Sequence, residues 1–268
     1  MNKWILSLLF ISINSYGFTL NTNTGSSFSG DSVKVFISSN SLCDQTGMTR
    51  EQILDLAMEG AQRLWNRVET ANIEIKRGGI LQTDNSLFIS GELCAEDSNT
   101  NCDPNTTIPA SGDIVIACND NVSNFPQTNL LALSAPIRTT NNEIKNSIIL
   151  INNISGSNFS NLSYSEVRSV LAHEIGHALG IGHSQEDHAL MYFQNATTLK
   201  RLSQDDKDAL TYLYPNKLND CANFIGTIED DNHMSGHLIS VTYGLFFCLL
   251  FLFMYKKITH AVINYRQS

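Results

Sequence analysis

The chain has 268 residues, a formal net charge of −9 and 42% hydrophobic residues. That length holds one medium domain with additions, and a core of this size folds without staples. The acidic balance, spread without long runs, excludes a basic groove for nucleic acid and electrostatic attachment to an acidic membrane surface.

From the N-terminus, Lys3, the apolar stretch Trp4 to Ile13 and the small-residue run Ser15-Tyr16-Gly17 read as a secretory signal peptide over residues 1–17, cleaved before Phe18. The apolar run is too short to span a bilayer well. Export implies an oxidising compartment, in which Cys43, Cys94, Cys102, Cys118 and Cys221 would lie, while Cys248 sits in a C-terminal apolar segment. Five exported thiols cannot all pair within one chain, and Cys94 with Cys102, bracketing a polar loop, is the first pair expected.

Residues 18–217 read as one α/β domain. Val33 to Ser38 forms a first strand, and Arg50 to Val68 a long amphipathic helix with Thr49 as N-cap and Ile53, Leu54, Ala57, Ala61, Leu64 and Trp65 toward the sheet. Ile73 to Lys76, Leu87 to Ser90, Asp113 to Ala117, Leu130 to Ile137 and Ser147 to Ile151 are further strands, separated by Asn, Gly, Ser and Pro clusters. Glu92 to Ser111 reads as a long surface loop. A second helix starts near Ser163, where Ser163 with Glu166 makes a capping-box pattern ahead of Val167, Val170 and Leu171. Ser203 with Asp206 repeats that pattern for a last helix over Gln204 to Tyr214.

The second helix carries His173-Glu174-Ile175-Gly176-His177-Ala178-Leu179-Gly180-Ile181-Gly182-His183. Residues four apart on a helix lie about 40° apart around the axis and about 6 Å along it, so His173 and His177 project side by side as two pre-aimed metal ligands. Glu174 points to the flank of that face, where it can hold a water rather than bind the metal, the arrangement of a general base. Gly180 permits the sharp turn that returns His183 as a third ligand. A fourth position left open for water marks a catalytic zinc site rather than a closed structural one. A bare HExxH arises by chance in unrelated helices, but here Gly180 and His183 extend it to the metzincin form. Met191 follows eight residues past the third histidine, where a metzincin turn places a Met beneath the metal.

On these residues the chain resembles the matrixin-like metzincins, which include the matrix metalloproteinases and shorter bacterial relatives. Ser184 directly after the third histidine, and Leu202-Ser203-Gln204-Asp205-Asp206 through Leu213-Tyr214-Pro215, are similar to matrixins, and the resemblance is specific from Ser165 to Pro215. It implies a zincin fold: a twisted, mostly parallel sheet with an antiparallel edge strand, two long helices and a C-terminal helix. It also implies a polypeptide substrate held by strand addition along Leu130-Leu131-Ala132-Leu133-Ser134, with Leu131, Ala132 and Tyr192 at the substrate. An interior strand is the competing reading of that element.

The departures shape the expectations equally. No histidine precedes His173, so one catalytic zinc is expected and the second, structural zinc of vertebrate matrixins is not. No Pro-Arg-Cys-Gly type switch segment is present, so latency would come from elsewhere and the unpaired Cys reads as buried and inert. Phe193 stands where vertebrate relatives usually have Pro, so pocket specificity does not carry over. Calcium finds no matching loop: Glu96, Asp97, Asp103, Asp205 and Asp206 read as solvated charges. His188, His233, His237 and His260 read as surface residues.

Residues 218–237 read as an acidic linker, and Leu238 to Tyr255 as a membrane helix whose 18 residues reach about 27 Å, close to the thickness of a bilayer core. Lys256 and Lys257 follow, so residues 256–268 form a cytoplasmic tail and the zinc domain lies outside, periplasmic or at the cell surface. A cleaved sorting signal has the same hydrophobic-then-basic layout. The sequence thus predicts a membrane-anchored, exported zinc endopeptidase. The alternative is a non-catalytic zincin-fold adhesion or binding module that keeps zinc for stability, which loss of Glu174 would have marked. Oligomeric state is open.

Overall fold

The computed structural model describes residues 18–22, 25–40, 42–82, 89–93, 113–139, 141–194, 197–198 and 201–216, all within the unit Met1–Asp220. The expected signal peptide, the Cys94–Cys102 pair, the acidic linker, the membrane helix and tail, and His233, His237 and His260 lie outside these residues.

Five strands make one sheet: β1 (Ser32–Ser38), β2 (Glu74–Leu81), β3 (Ile114–Asn119), β4 (Ala132–Arg138) and β5 (Ile144–Asn152), in the order β2-β1-β3-β5-β4. The first four in that order run parallel, and β4 pairs antiparallel with β5 at the edge. Every residue of β3 is buried. Its apolar run is continuous because both faces of a parallel sheet are covered. Ile114, Ile116, Ile149 and Ile151 face the main core, and Val115, Ala117, Ile148 and Leu150 face a smaller one closed by Phe125.

The helices α1 (Arg50–Arg63), α2 (Tyr164–Ala178) and α3 (Gln204–Leu213) all bury their apolar stripes in the main core, so they share one face of the sheet. Thr49, Ser163 and Ser203 cap them, each in a reciprocal capping box with Gln52, Glu166 and Asp206 respectively. α1 ends five residues short of the expected Val68. After Leu64 (φ −114°, ψ −78°) the chain tightens into a short 3-10 turn, Trp65–Arg67. The Asn66 amide draws the chain across to β2, accepting from the Ile75 N–H at 2.8 Å and donating to its carbonyl at 2.9 Å. The expected strand at Leu87 to Ser90 is not formed where it is described: Ile89 and Ser90 lie in a turn, with the Asp120 N–H donating to the Ile89 carbonyl.

Cys43 and Cys118 form a disulfide across 75 residues of sequence, with Cα atoms 5.0 Å apart. It ties the loop between β1 and α1 to the end of β3. Nothing in the spacing of the six cysteines singles out this pair, because the contact exists only once β1 and β3 are neighbours.

Candidate metal centre

α2 holds its histidines on a helix fixed from both sides. Val167, Val170, Leu171 and Ile175 anchor it in the core, and the Trp65 indole donates to the Ala172 carbonyl at 2.8 Å, one residue before His173. The helix then stops between the second and third histidines. The Gly180 N–H donates to the His177 carbonyl at 2.9 Å and the Ile181 N–H to the Gly176 carbonyl at 3.0 Å, the paired bonds of a Schellman turn. Gly180 sits at φ +100°, and a Cβ there would lie 2.2 Å from the Ser26 carbonyl oxygen. Both facts demand glycine.

The turn brings the three expected ligands together. His177 Nε2 lies 3.1 Å from His173 Nε2 and 3.1 Å from His183 Nε2. His173 Nδ1 faces the Leu190 carbonyl at 2.7 Å and His177 Nδ1 the Ile181 carbonyl at 2.8 Å. A carbonyl only accepts, so each neutral imidazole carries its proton on Nδ1 and aims the Nε2 lone pair inward. Burial, aided by the neighbouring His183, lowers His173 to about 4. Burial and the two other rings push His177 well below the usual range, and burial lowers His183. The rings are therefore neutral at physiological pH, the state in which histidine binds metal. Tetrahedral zinc with Zn–N bonds of about 2.0–2.1 Å separates its ligand nitrogens by roughly 3.3 Å, close to what the three rings present. The donor set fits zinc, and among the described residues it is the one cluster of three such side chains able to hold a metal.

Glu174 is 7% exposed, and its Oε2 is buried without a hydrogen-bond partner. Burial raises its carboxyl to about 8. Without a metal that value keeps the carboxyl protonated at neutral pH; a cation on the adjacent histidines would favour its ionised form, an unpaired acceptor suited to a water and its proton.

Met191 is buried under the site. A Cβ on Gly176 would lie 2.3 Å from Met191 Sδ and 2.8 Å from Trp65 Cζ2, so the helix, the indole and the thioether are in direct contact. The turn carrying Met191 is held by groups the sequence reading missed. Asp206 accepts the Leu190 N–H at 2.8 Å and the Met191 N–H at 3.0 Å. The Ser184 hydroxyl donates to Asp205, and its N–H to the Met191 carbonyl at 2.8 Å. Asp205 and Asp206 are 7% and 1% exposed, which corrects the expectation of solvated charges. The Asp206 carboxylate caps backbone N–H groups that would otherwise be buried unpaired, while Asp205 accepts from the Ser184 hydroxyl. The signal available in sequence was the Ser203–Asp206 capping box alone.

On the substrate side, Leu131 is half-buried and Ala132 buried at the start of β4. Among the described residues β4 is an edge strand, against the interior-strand reading of this element. Tyr192 bridges to Ser184, and its ring meets that of exposed Phe193 at 4.7 Å. His188 is exposed beside Glu186 and Asp187, away from the three-histidine cluster, as a surface residue.

Comparison with known proteins agrees with this geometry. Residues 105–215 match the family Matrixin. The chain is 60% identical over 47 residues to matrix metalloproteinase-23 of Rattus norvegicus, covering 17% of this chain and 12% of that protein. It is 51% identical over 49 residues to stromelysin-1 of Mus musculus (17% and 10%) and 46% identical over 52 residues to metalloendoproteinase 2-MMP of Arabidopsis thaliana (18% and 14%). The matches thus span at most 14% of these relatives' own length.

Proposed function

We propose that this chain, matrixin-like from residue 105 to residue 215, is a zinc-dependent endopeptidase that hydrolyses peptide bonds of protein substrates. The observation that carries the reading is the convergence of three histidine Nε2 atoms beside a buried carboxyl oxygen that has no hydrogen-bond partner. His173, His177 and His183 would hold a zinc ion, which would supply a Lewis acid for a carbonyl and lower the pKa of a water. Glu174 accepts the proton of that water as it attacks the carbonyl carbon, and returns it to the leaving amine as the C–N bond breaks. β4, an edge strand among the described residues, would offer backbone groups to an extended peptide, with Leu131 and Ala132 at its start and Tyr192 as a further proposed contact.

Export through residues 1–17 and a tether at Leu238 to Tyr255, with the C-terminus cytoplasmic, are supported by the apolar and basic patterns of those segments. Among the described residues no helix is long and apolar enough to cross a membrane. A carbonate wash of membranes tests the tether, since an untethered protein is released into the wash.

The activity is tested by incubating the protein with denatured polypeptides and identifying new termini by mass spectrometry. New termini are expected without chelator and none with it. Glu174→Ala is expected to keep one zinc and lose activity by several orders of magnitude. Near-normal cleavage in that variant sinks the mechanism, and zinc binding with no cleavage in the wild-type protein points to a non-catalytic module.

A further inference from the structure

We infer that the segment Phe18–Asn21 is a clamp on the loop that carries the third metal ligand, with Thr19 and Asn21 as positioning residues for His183 and His177. The inference rests on the zinc reading above. The helix fixes His173 and His177, but His183 lies beyond the Schellman turn, on a loop with no regular structure of its own. Several of that loop's backbone groups pair with the segment Phe18–Asn21. The Gly182 N–H donates to the Thr19 carbonyl at 2.9 Å, the Asn21 N–H donates to the Gly180 carbonyl at 3.1 Å, and Leu20 bridges antiparallel to Ile181. Two side chains reach the ligand residues themselves. The Thr19 hydroxyl donates to the His183 carbonyl, and Asn21 Nδ2 donates to the His177 carbonyl at 2.9 Å.

The two strands of this contact are pressed together. A Cβ on Gly182 would lie 2.8 Å from Thr19 Oγ1 and 2.9 Å from the Leu20 carbonyl carbon. The segment is itself anchored at its far end, where the Phe18 ring meets Tyr212 of α3 at 5.5 Å between centroids. His183 therefore has its backbone fixed on one side by Ser184 and the Met191 turn and on the other by Thr19. Loosening the Thr19 side lets the imidazole leave the position its two partners define. Outer partners that bond a ligand's ring change metal affinity by about 10–100-fold when removed, and bonds to the ligands' backbone are placed to act in the same direction.

The test uses the full-length protein loaded with zinc and then given excess chelator, well below its unfolding temperature, with metal release followed in time. Thr19→Val and Asn21→Leu remove the donors at nearly constant volume, and the double variant is expected to release zinc at least about tenfold faster. Its unfolding midpoint without metal should stay close to wild type, which separates positioning of the ligands from general stability. Thr22→Val is the control, because the Thr22 hydroxyl, directly after the segment, is buried with no hydrogen-bond partner. It should release zinc at the wild-type rate. If the double variant does not fold, Thr19→Val alone is read the same way. Wild-type release from the folded variants, or equal acceleration by Thr22→Val, overturns the inference. A wild-type protein that holds no zinc overturns instead the reading beneath it.

Discussion

Asp206 Oδ1 accepts the backbone N–H of Met191 at 3.0 Å across 15 residues of sequence. The same carboxylate accepts from the N–H of Leu190 and from the N–H and hydroxyl of Ser203, so one side chain joins the cap of α3 to the floor of the histidine cluster. Asp206→Ala strands several buried donors, each costing about 1–3 kcal/mol. The variant is expected to lose at least about 3 kcal/mol in denaturant unfolding. Its zinc affinity should fall as well, because the Leu190 carbonyl that orients His173 sits on the displaced turn. Asp206→Asn keeps an acceptor and should lose less. Equal stability of Asp206→Ala and wild type would refute the role.

Gly176 is the point where α2 rests on Met191 and Trp65. Gly176→Ala places a methyl 2.3 Å from Met191 Sδ and is expected to cost about 1–3 kcal/mol by overpacking. The thioether can move and the indole cannot. Met191→Ala in the Gly176→Ala background should therefore recover part, not all, of the loss, measured as a double-mutant cycle in thermal unfolding. Full additivity of the two changes would show that the contact is absent.

Two buried groups give the metal-free protein opposing pH dependences. His173 titrates at about 4 when folded and 6.5 when unfolded. The unfolded state therefore binds more protons between those values, and stability falls as pH drops below 6.5. Glu174 titrates at about 8 when folded and 4.5 when unfolded. The folded state then keeps its proton longer, so stability falls as pH rises from 4.5 towards 8. From 4.5 to 6.5 the two slopes oppose one another, and the lowered His177 and His183 add to the acidic fall, so chelated protein should be most stable near pH 6.5. Glu174→Gln should remove the alkaline decline while leaving the acidic one. Denaturation midpoints against pH decide this, and an alkaline arm that survives in Glu174→Gln contradicts it.

The Cys43–Cys118 bridge closes a loop of 75 residues, which by chain entropy is worth about 4 kcal/mol. Replacing both cysteines with Ala should lower unfolding free energy by about 2–5 kcal/mol. Stability unchanged in the double variant would mean that the unfolded chain is already compact there.

The helices and the histidine cluster could be read directly because their signals are local. Ser163 and Glu166 are three residues apart and cap one another, and His173 and His177 share a face by helical period alone. The parallel strands were legible as short apolar runs, Ile114 to Ala117 among them, though their ends moved by a few residues. What escaped depends on distant pairs. Asp206 looks like any surface acid until Leu190 and Met191 are folded over it, and Thr19 to Asn21 carry no periodic pattern, since their partners lie more than 150 residues away. Asn66 ended α1 early for the same reason, its partner being Ile75 on another element.

The disulfide also decides what a cut does to the molecule. The whole of α1 and β2 lies between Cys43 and Cys118. An oxidised chain nicked anywhere in that interval remains a single covalent particle, with the histidine cluster on one piece and β1 still bound to it through sulfur. The nicked molecule runs as one band until a reductant parts the halves.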